Sequence, residues 1–134
     1  MLFMLDTDTT SYIIKKRPIS LAEKFSEIDP SSICVSVVTR AELLFGLRQI
    51  AENHRLSLAV RKFLEITRVL PWTEEAADEY AEIRHILTKT GKLIGELDMM
   101  IAAHAAAIGA VLVTNNVRHF KRMEGRLEIV NWVV

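Results

Sequence analysis

Short apolar runs and longer amphipathic ones alternate along this chain, with turn residues between them. Leu2 to Leu5 is apolar and too brief for a helix, and Asp6-Thr7-Asp8-Thr9 stops it with helix-capping residues. This predicts a strand, then a helix from about Thr9 to Lys16. Pro18-Ile19-Ser20 resets the chain, Leu21, Phe25 and Ile28 mark a second short helix, and Asp29-Pro30-Ser31-Ser32 reads as a turn. Ile33 to Val37 is apolar and rich in β-branched residues, as a buried parallel strand requires. A helix is expected from near Thr39 to about Gln49. Leu56, Val60, Phe63 and Leu64 keep helical spacing in the next segment.

Val69-Leu70-Pro71 reads as a third short strand closed by proline. Thr73-Glu74-Glu75 starts a helix through Ala76, Tyr80, Ile83 and Leu87 that Gly91 ends. Leu97 to Ile108 is a helix stopped by Gly109, Val111 to Thr114 a strand, the stretch around Phe120 helical, and Leu127 to Val130 the last strand. Strands alternating with helices predict an α/β/α sandwich around a mostly parallel sheet of four to five short strands, one domain over residues 1–134. In such sheets ligands bind beyond the carboxyl ends of the strands.

Composition narrows the class. Half of the 134 residues are apolar, enough for one real core, and this excludes a disordered chain. The most apolar run, Met99 to Val113, contains His104 and is shorter than the roughly 18 residues of a membrane span. No signal peptide or lipid-anchor pattern is present, and the single Cys34 fits a reducing cytoplasm. Seventeen bases balance 17 acids, which argues against indiscriminate polyanion binding but leaves room for a local basic patch.

Three acids and an amide fall at predicted strand ends. Asp6 closes the first strand, where a helix N-cap is the alternative role. Glu42 lies on a helix beside Val38, Ala41 and Phe45, an apolar surrounding that would be costly without a partner; a salt bridge to Arg84 is the structural alternative. Asp98 sits in the first turn of its helix, with small Ala102 and Ala105 on the same face leaving room for a cation. Asn115-Asn116 follows the strand Val111 to Thr114, where an Asx turn is the alternative. Carboxylates brought together raise one another's pKa unless a cation neutralises them, and oxygen-only ligands select Mg²⁺ or Mn²⁺ over zinc. His54, His85, His104 and His119 have no zinc-type spacing, and His104 reads as a core residue.

Four segments, in order, carry a resemblance: Phe3-Met4-Leu5-Asp6-Thr7, Ser36 through Gly46, Asp98 through Ala105, and Val113 through Phe120. On these the chain resembles PIN-domain ribonucleases, specifically the VapC toxins of bacterial VapBC toxin–antitoxin pairs. The resemblance implies an acidic centre of Asp6, Glu42 and Asp98 holding Mg²⁺ or Mn²⁺, with Asn116 at a fourth position where many relatives have Asp. His119 stands where some relatives carry a further acid, and Asp8 stands where Asn is common. It implies metal-dependent endonucleolytic cleavage of a structured cellular RNA such as tRNA. The ion would activate a water for in-line attack, and Glu42 is the candidate proton acceptor.

Expected substrate contacts are Thr7, Thr114, Asn115, Arg118, Lys15 and Lys16, with Arg17, Lys89, Lys92, Lys121 and Arg122 as further local bases. The resemblance also implies a homodimer and a VapB-type antitoxin that covers the acidic pocket, with DNA met only through that complex. Helix faces bearing Leu43, Leu44 and Leu47, or the pair Trp72 and Tyr80, are candidate interfaces. Two other functions remain open at this stage. Asp6-Thr7-Asp8-Thr9-Thr10 matches the Asp-x-Asp-x-Thr of haloacid-dehalogenase-type phosphatases, with Asp6 as nucleophile. A PIN-like module that binds RNA or protein without cutting is the other.

Overall fold

A computed structural model describes residues 1–91, 94–120, 123 and 125–133. Five three- or four-residue strands form one sheet: β1 (Phe3–Leu5), β2 (Ile33–Ser36), β3 (Arg68–Leu70), β4 (Val111–Val113) and β5 (Glu128–Val130). Their order is β3-β2-β1-β4-β5, and every pairing is parallel rather than mostly so. The helices are α1 (Thr7–Lys15), α2 (Ile19–Glu27), α3 (Val37–Leu47), α4 (Arg55–Ile66), α5 (Glu74–Lys89), α6 (Glu96–Ile108) and the short α7 (Val117–Phe120).

Alternating side chains of the strands divide the core in two. Met4, Cys34 and Leu112 are in register across β1, β2 and β4 and join Ile83 and Leu87 of α5 and Met99 and Ile101 of α6. Leu5, Val35 and Val113, one residue on, face Ile13, Leu21, Leu43, Leu47, Val60 and Phe63 of the first four helices. Period-2 strands with both faces apolar thus require a helical layer on each side, which gives the α/β/α sandwich.

The starts of α1 and α3 each fall two residues before the expectation, both because the cap lies earlier. Asp6, not Asp8 or Thr9, caps α1, so the helix begins at Thr7. Ser36 caps α3, its hydroxyl accepting from the Val38 N–H at 3.1 Å, so Val37 is the first helical residue rather than the last of the strand. The α3 helix ends at Leu47, short of Gln49. Leu43 and Leu47 belong to the core, and Trp72 packs edge-on to Tyr80 at 6.2 Å while its indole N–H donates to the Met100 carbonyl at 3.1 Å. These side chains hold the chain's own helices together.

Cys34 is fully buried in β2, and burial pushes its thiol up to about 11, with Arg68 opposing part of the shift. A thiol so protonated and enclosed is a poor nucleophile. Native protein at pH 8 is therefore expected to resist an aromatic disulfide reagent that labels one thiol per chain at once in denaturant.

Candidate active site

β1 lies at the centre of the sheet, and the chain order runs outward from it through β2 and β3 on one side and β4 and β5 on the other. The carboxyl ends of β1 and β4 therefore flank a topological switch point, where a crevice opens in parallel sheets. Asp6 is placed there by the first residue after β1. Its main-chain N–H donates to the Val113 carbonyl at 3.0 Å, and its own carbonyl accepts from the Thr10 N–H at 3.0 Å and the Thr10 hydroxyl at 2.8 Å. Its Oδ1 accepts from the Thr9 N–H at 2.8 Å. Asp6 is thus both the cap of α1 and a residue at the strand ends; the two roles are not alternatives. Burial raises its pKa, and hydrogen bonds from the Thr114 hydroxyl and from Thr9 oppose the shift.

Glu42 comes from the second turn of α3. Its Oε1 accepts from the Thr7 hydroxyl at 2.6 Å, and Thr7 Oγ1 lies 3.1 Å from Thr39 Oγ1. Since Thr7 gives its one proton to the carboxylate, Thr39 donates to Thr7, and a short relay ties α1 to α3. The three expected apolar neighbours do not enclose it: Val38 turns into the core, Ala41 and Phe45 face outward, and Glu42 is half-buried with its carboxylate on Thr7. Nor does Arg84 pair with it. That guanidinium bonds the Tyr80 hydroxyl at 2.8 Å and Glu96 at 3.3 Å along α5 and the start of α6.

Asp98 is the third residue of α6 and half-buried. Its pKa is raised, first by burial and then by the charges of Asp6, Glu42 and Asp8, with His119 opposing. Acids from the end of β1, from α1 and from α3, distant from it in sequence, therefore act on Asp98. The room expected above Asp98 is absent, because Ala102 and Ala105 are fully buried where α6 packs closely on α5. Small residues there serve helix packing.

The remaining expected residues divide. Thr114 is 1% exposed, with its hydroxyl against Asp6 and accepting from the Asn116 N–H at 3.0 Å. Its hydroxyl is thus buried beside Asp6 and not exposed at the strand end. Asn116 opens α7, its carbonyl accepting from the His119 N–H at 3.1 Å, and Asn115 Oδ1 accepts from Asn131 Nδ2 at 3.0 Å. Arg118, Lys15 and Lys16 are exposed. Lys92, Lys121 and Arg122 lie outside the described residues.

Sequence reasoning missed Thr39, three residues before Glu42 on the same helix face, a spacing that could have found it. It also missed the buried pair His104 Nδ1 and Ser36 Oγ, 2.7 Å apart, which joins α6 to the cap of α3. Among the described residues no three acidic, histidine or cysteine side chains stand at the spacing of a formed metal centre. The donor chemistry nonetheless fits a hard divalent ion: the donors are carboxylate oxygens whose mutual repulsion such an ion would relieve.

A family model for the PIN domain matches residues 3–126. The chain is 38% identical over 131 residues to ribonuclease VapC2 of Haemophilus influenzae, covering 98% of each. It is 37% identical over 130 residues to the tRNA(fMet)-specific endonuclease VapC of Salmonella typhimurium, covering 97% of each. Among solved structures it superposes on a chain of the VapBC2 complex of Rickettsia felis bound to promoter DNA, with TM-score 0.86 and 31% identity over 98% of this chain and 99% of that one. The match over both chains' full length displaces the phosphatase reading of Asp6-Thr7-Asp8. Matched by the family model over residues 3–126 and by these relatives over nearly its whole length, this chain belongs to the PIN-domain family, among the VapC ribonucleases of VapBC toxin–antitoxin pairs.

Proposed function

We propose that this chain is a Mg²⁺- or Mn²⁺-dependent endoribonuclease that cuts a structured cellular RNA, tRNA by the precedent of its Salmonella relative, and so arrests translation in the cytoplasm. The observation that carries this reading is that the charges of Asp6 and Glu42, from other elements, reach Asp98 at the carboxyl edge of the sheet. Asp6, Glu42 and Asp98 would hold the ion, with Asn116 beside them. A bound ion would supply positive charge to activate water and to offset charge building on the phosphate.

The chain's own groups account for the rest. Asp6 is fixed through its main chain and its cap, so its carboxylate has little freedom to move off the site. Thr7 orients Glu42, which accepts the proton of the attacking water. Asp98, at the positive end of α6, brings the third carboxylate. Thr7, Asn115, Arg118, Lys15 and Lys16 are the groups offered to the RNA.

A VapB-type antitoxin as silencing partner, DNA contact only through that complex, and a homodimer complete the reading; relatives are known as VapBC complexes on DNA. No helix among the described residues is long and apolar enough to cross a membrane.

Purified protein incubated with total RNA and Mg²⁺ is expected to give discrete fragments. A chelator should abolish them, and so should Asp6→Asn. Intact RNA in every lane, with equal RNA binding by wild type and variant, would instead establish the non-cutting module.

A further inference from the structure

Two helices of this protein end in the same motif with different residues. In α6 the N–H of Gly109 donates to Ala106 and that of Ala110 to Ala105, with Gly109 at φ 69°. In α1 the N–H of Lys16 donates to Ile13 and that of Arg17 to Tyr12, with Lys16 at φ 59°. Both are Schellman closures whose left-handed position favours glycine. Lys16 is the only non-glycine residue with positive φ among those described. A lysine kept where glycine is conformationally better points to work for its ammonium group.

Its surroundings say what the work is. Lys15, Lys16 and Arg17 line an open groove of about 600 Å³ together with His54 and Arg55, and no acid shares the lining. Among the described residues the only ion pairs are Arg84–Glu96 and Arg126–Glu79, so Lys15, Lys16, Arg17 and Arg55 have no carboxylate partner there. His54 Nδ1 accepts from the Leu56 N–H at 3.0 Å, which leaves its other ring nitrogen as the one able to carry a proton. The chain's zero net charge is thus unevenly spread: α5 carries Glu74, Glu75, Asp78, Glu79 and Glu82, while Lys15, Lys16, Arg17 and Arg55 line this groove with no acid among them.

The groove is continuous with the acidic site. Ile14, Lys15 and Leu56 also line a second cleft of about 270 Å³ that reaches Thr7, Asp8 and Glu42. Asp8, Ser11 and Lys15 follow one face of α1 at helical spacing, from the acidic end to the basic one. From Thr7 to Lys15 the helical rise is roughly 12 Å.

We infer that Lys16, Arg17, His54 and Arg55 form a separate anchor for the phosphate backbone of the RNA, a few nucleotides from the bond that is cut and reached along the α1 face. The inference rests on the ribonuclease reading for its substrate. The anchor holds the strand in register by charge and reads no base. Acids at one end of the α1 face and unpaired cations at the other give the bound strand a direction.

The test uses full-length protein carrying Lys16→Gly, Lys16→Arg or Arg55→Ala, with Lys24→Ala as a charge-matched control outside the groove. Cleavage kinetics are measured in Mg²⁺ on a tRNA transcript the wild type cuts and on a short single-stranded RNA spanning the same bond. Binding of the tRNA is measured in EDTA across a salt series. Lys16→Gly and Arg55→Ala are expected to raise KM for tRNA by roughly five- to tenfold, with kcat changed less than twofold and a smaller effect on the short RNA. The slope of log affinity against log salt should fall by about 0.7 for each contact removed. Lys16→Gly should also raise the unfolding midpoint, which separates lost binding from lost fold, and Lys16→Arg should keep the wild-type KM. Unchanged KM and salt slope in Lys16→Gly and Arg55→Ala, with the wild type active, would overturn the anchor. A wild type that cuts no RNA but binds it in EDTA with these same salt slopes would sink the nuclease reading and leave the anchor standing.

Discussion

Replacing Asp98 with asparagine is expected to cost at least about a hundredfold in RNA cleavage while leaving the metal-free protein as stable as wild type or more so. Few active-site substitutions combine these outcomes, and the combination follows from the charges. Asp98 is held above the usual carboxylate range by burial and then by Asp6, Glu42 and Asp8. A carboxyl whose folded pKa exceeds its unfolded value binds its proton more tightly in the fold. Stability from this group is therefore lowest at neutral pH, grows as pH falls through the raised folded pKa, and is complete below the unfolded value of 3.8. Asparagine removes the repulsion at every pH.

Mg²⁺ should stabilise the wild type at pH 7.5 by about 2.7 kcal/mol at a hundred times its Kd, less at pH 5, and much less in Asp98→Asn. Thermal unfolding of both proteins at the two pH values, with and without Mg²⁺, checks all of this. A loss of several degrees for Asp98→Asn in metal-free buffer would mean that the carboxylate has a structural partner.

The second large effect is structural. His104→Ala is expected to destabilise the fold by about 3 kcal/mol, lowering the unfolding midpoint by roughly 10 °C. The ring is fully buried in α6, its Nδ1 meets Ser36 Oγ at 2.7 Å, and the same hydroxyl caps α3. That hydroxyl also accepts from the Val38 N–H, so the ring and the α3 cap share one oxygen, and the ring tautomer sets the direction of the bond to Nδ1. Nε2 has no partner of good hydrogen-bond geometry, although the Pro71 carbonyl lies close enough to oppose part of the effect of burial.

Burial depresses the pKa of His104, so the sign is opposite to that of Asp98: stability is present above the unfolded value of 6.5 and is lost as pH falls. His104→Asn, which keeps a polar atom near the Nδ1 position, should recover part of the midpoint and flatten its decline between pH 7 and 5. Equal acid sensitivity in wild type and His104→Asn would show that other groups set it.

Most of the fold was legible because each element carried its own local signal. The three-residue strands are β-branched or apolar runs closed by capping residues, and Gly109 ends α6 as expected. The sheet order was not legible: no residue of β4 announces that it pairs with β1 rather than β3, since pairing is decided by crossover connections and by which helices must cover which face. Asp6 could be named because it closes a strand, Glu42 because it is an acid on an otherwise apolar helix that follows one, and Asp98 because it is an acid in the first turn of a largely apolar helix. Their neighbours could not. Glu42 was expected among Val38, Ala41 and Phe45, and helical periodicity alone does not tell that Thr7, from another helix, approaches its carboxylate. Thr114 illustrates the same gap. A hydroxyl at the end of a strand reads as available to a ligand, and only packing shows it turned inward onto Asp6.

Asp6 is asked for two different things, and they are separable. Holding the first turn of α1 needs an oxygen that accepts from the Thr9 N–H, and an amide oxygen does this as well as a carboxylate. Charge at the strand ends needs the carboxylate. On the proposed function, a single exchange of one side-chain oxygen for nitrogen is therefore expected to silence the protein without unfolding it, whereas loss of the whole side chain removes the cap as well. Inactive copies that remain well folded are thus one small step away from an active one.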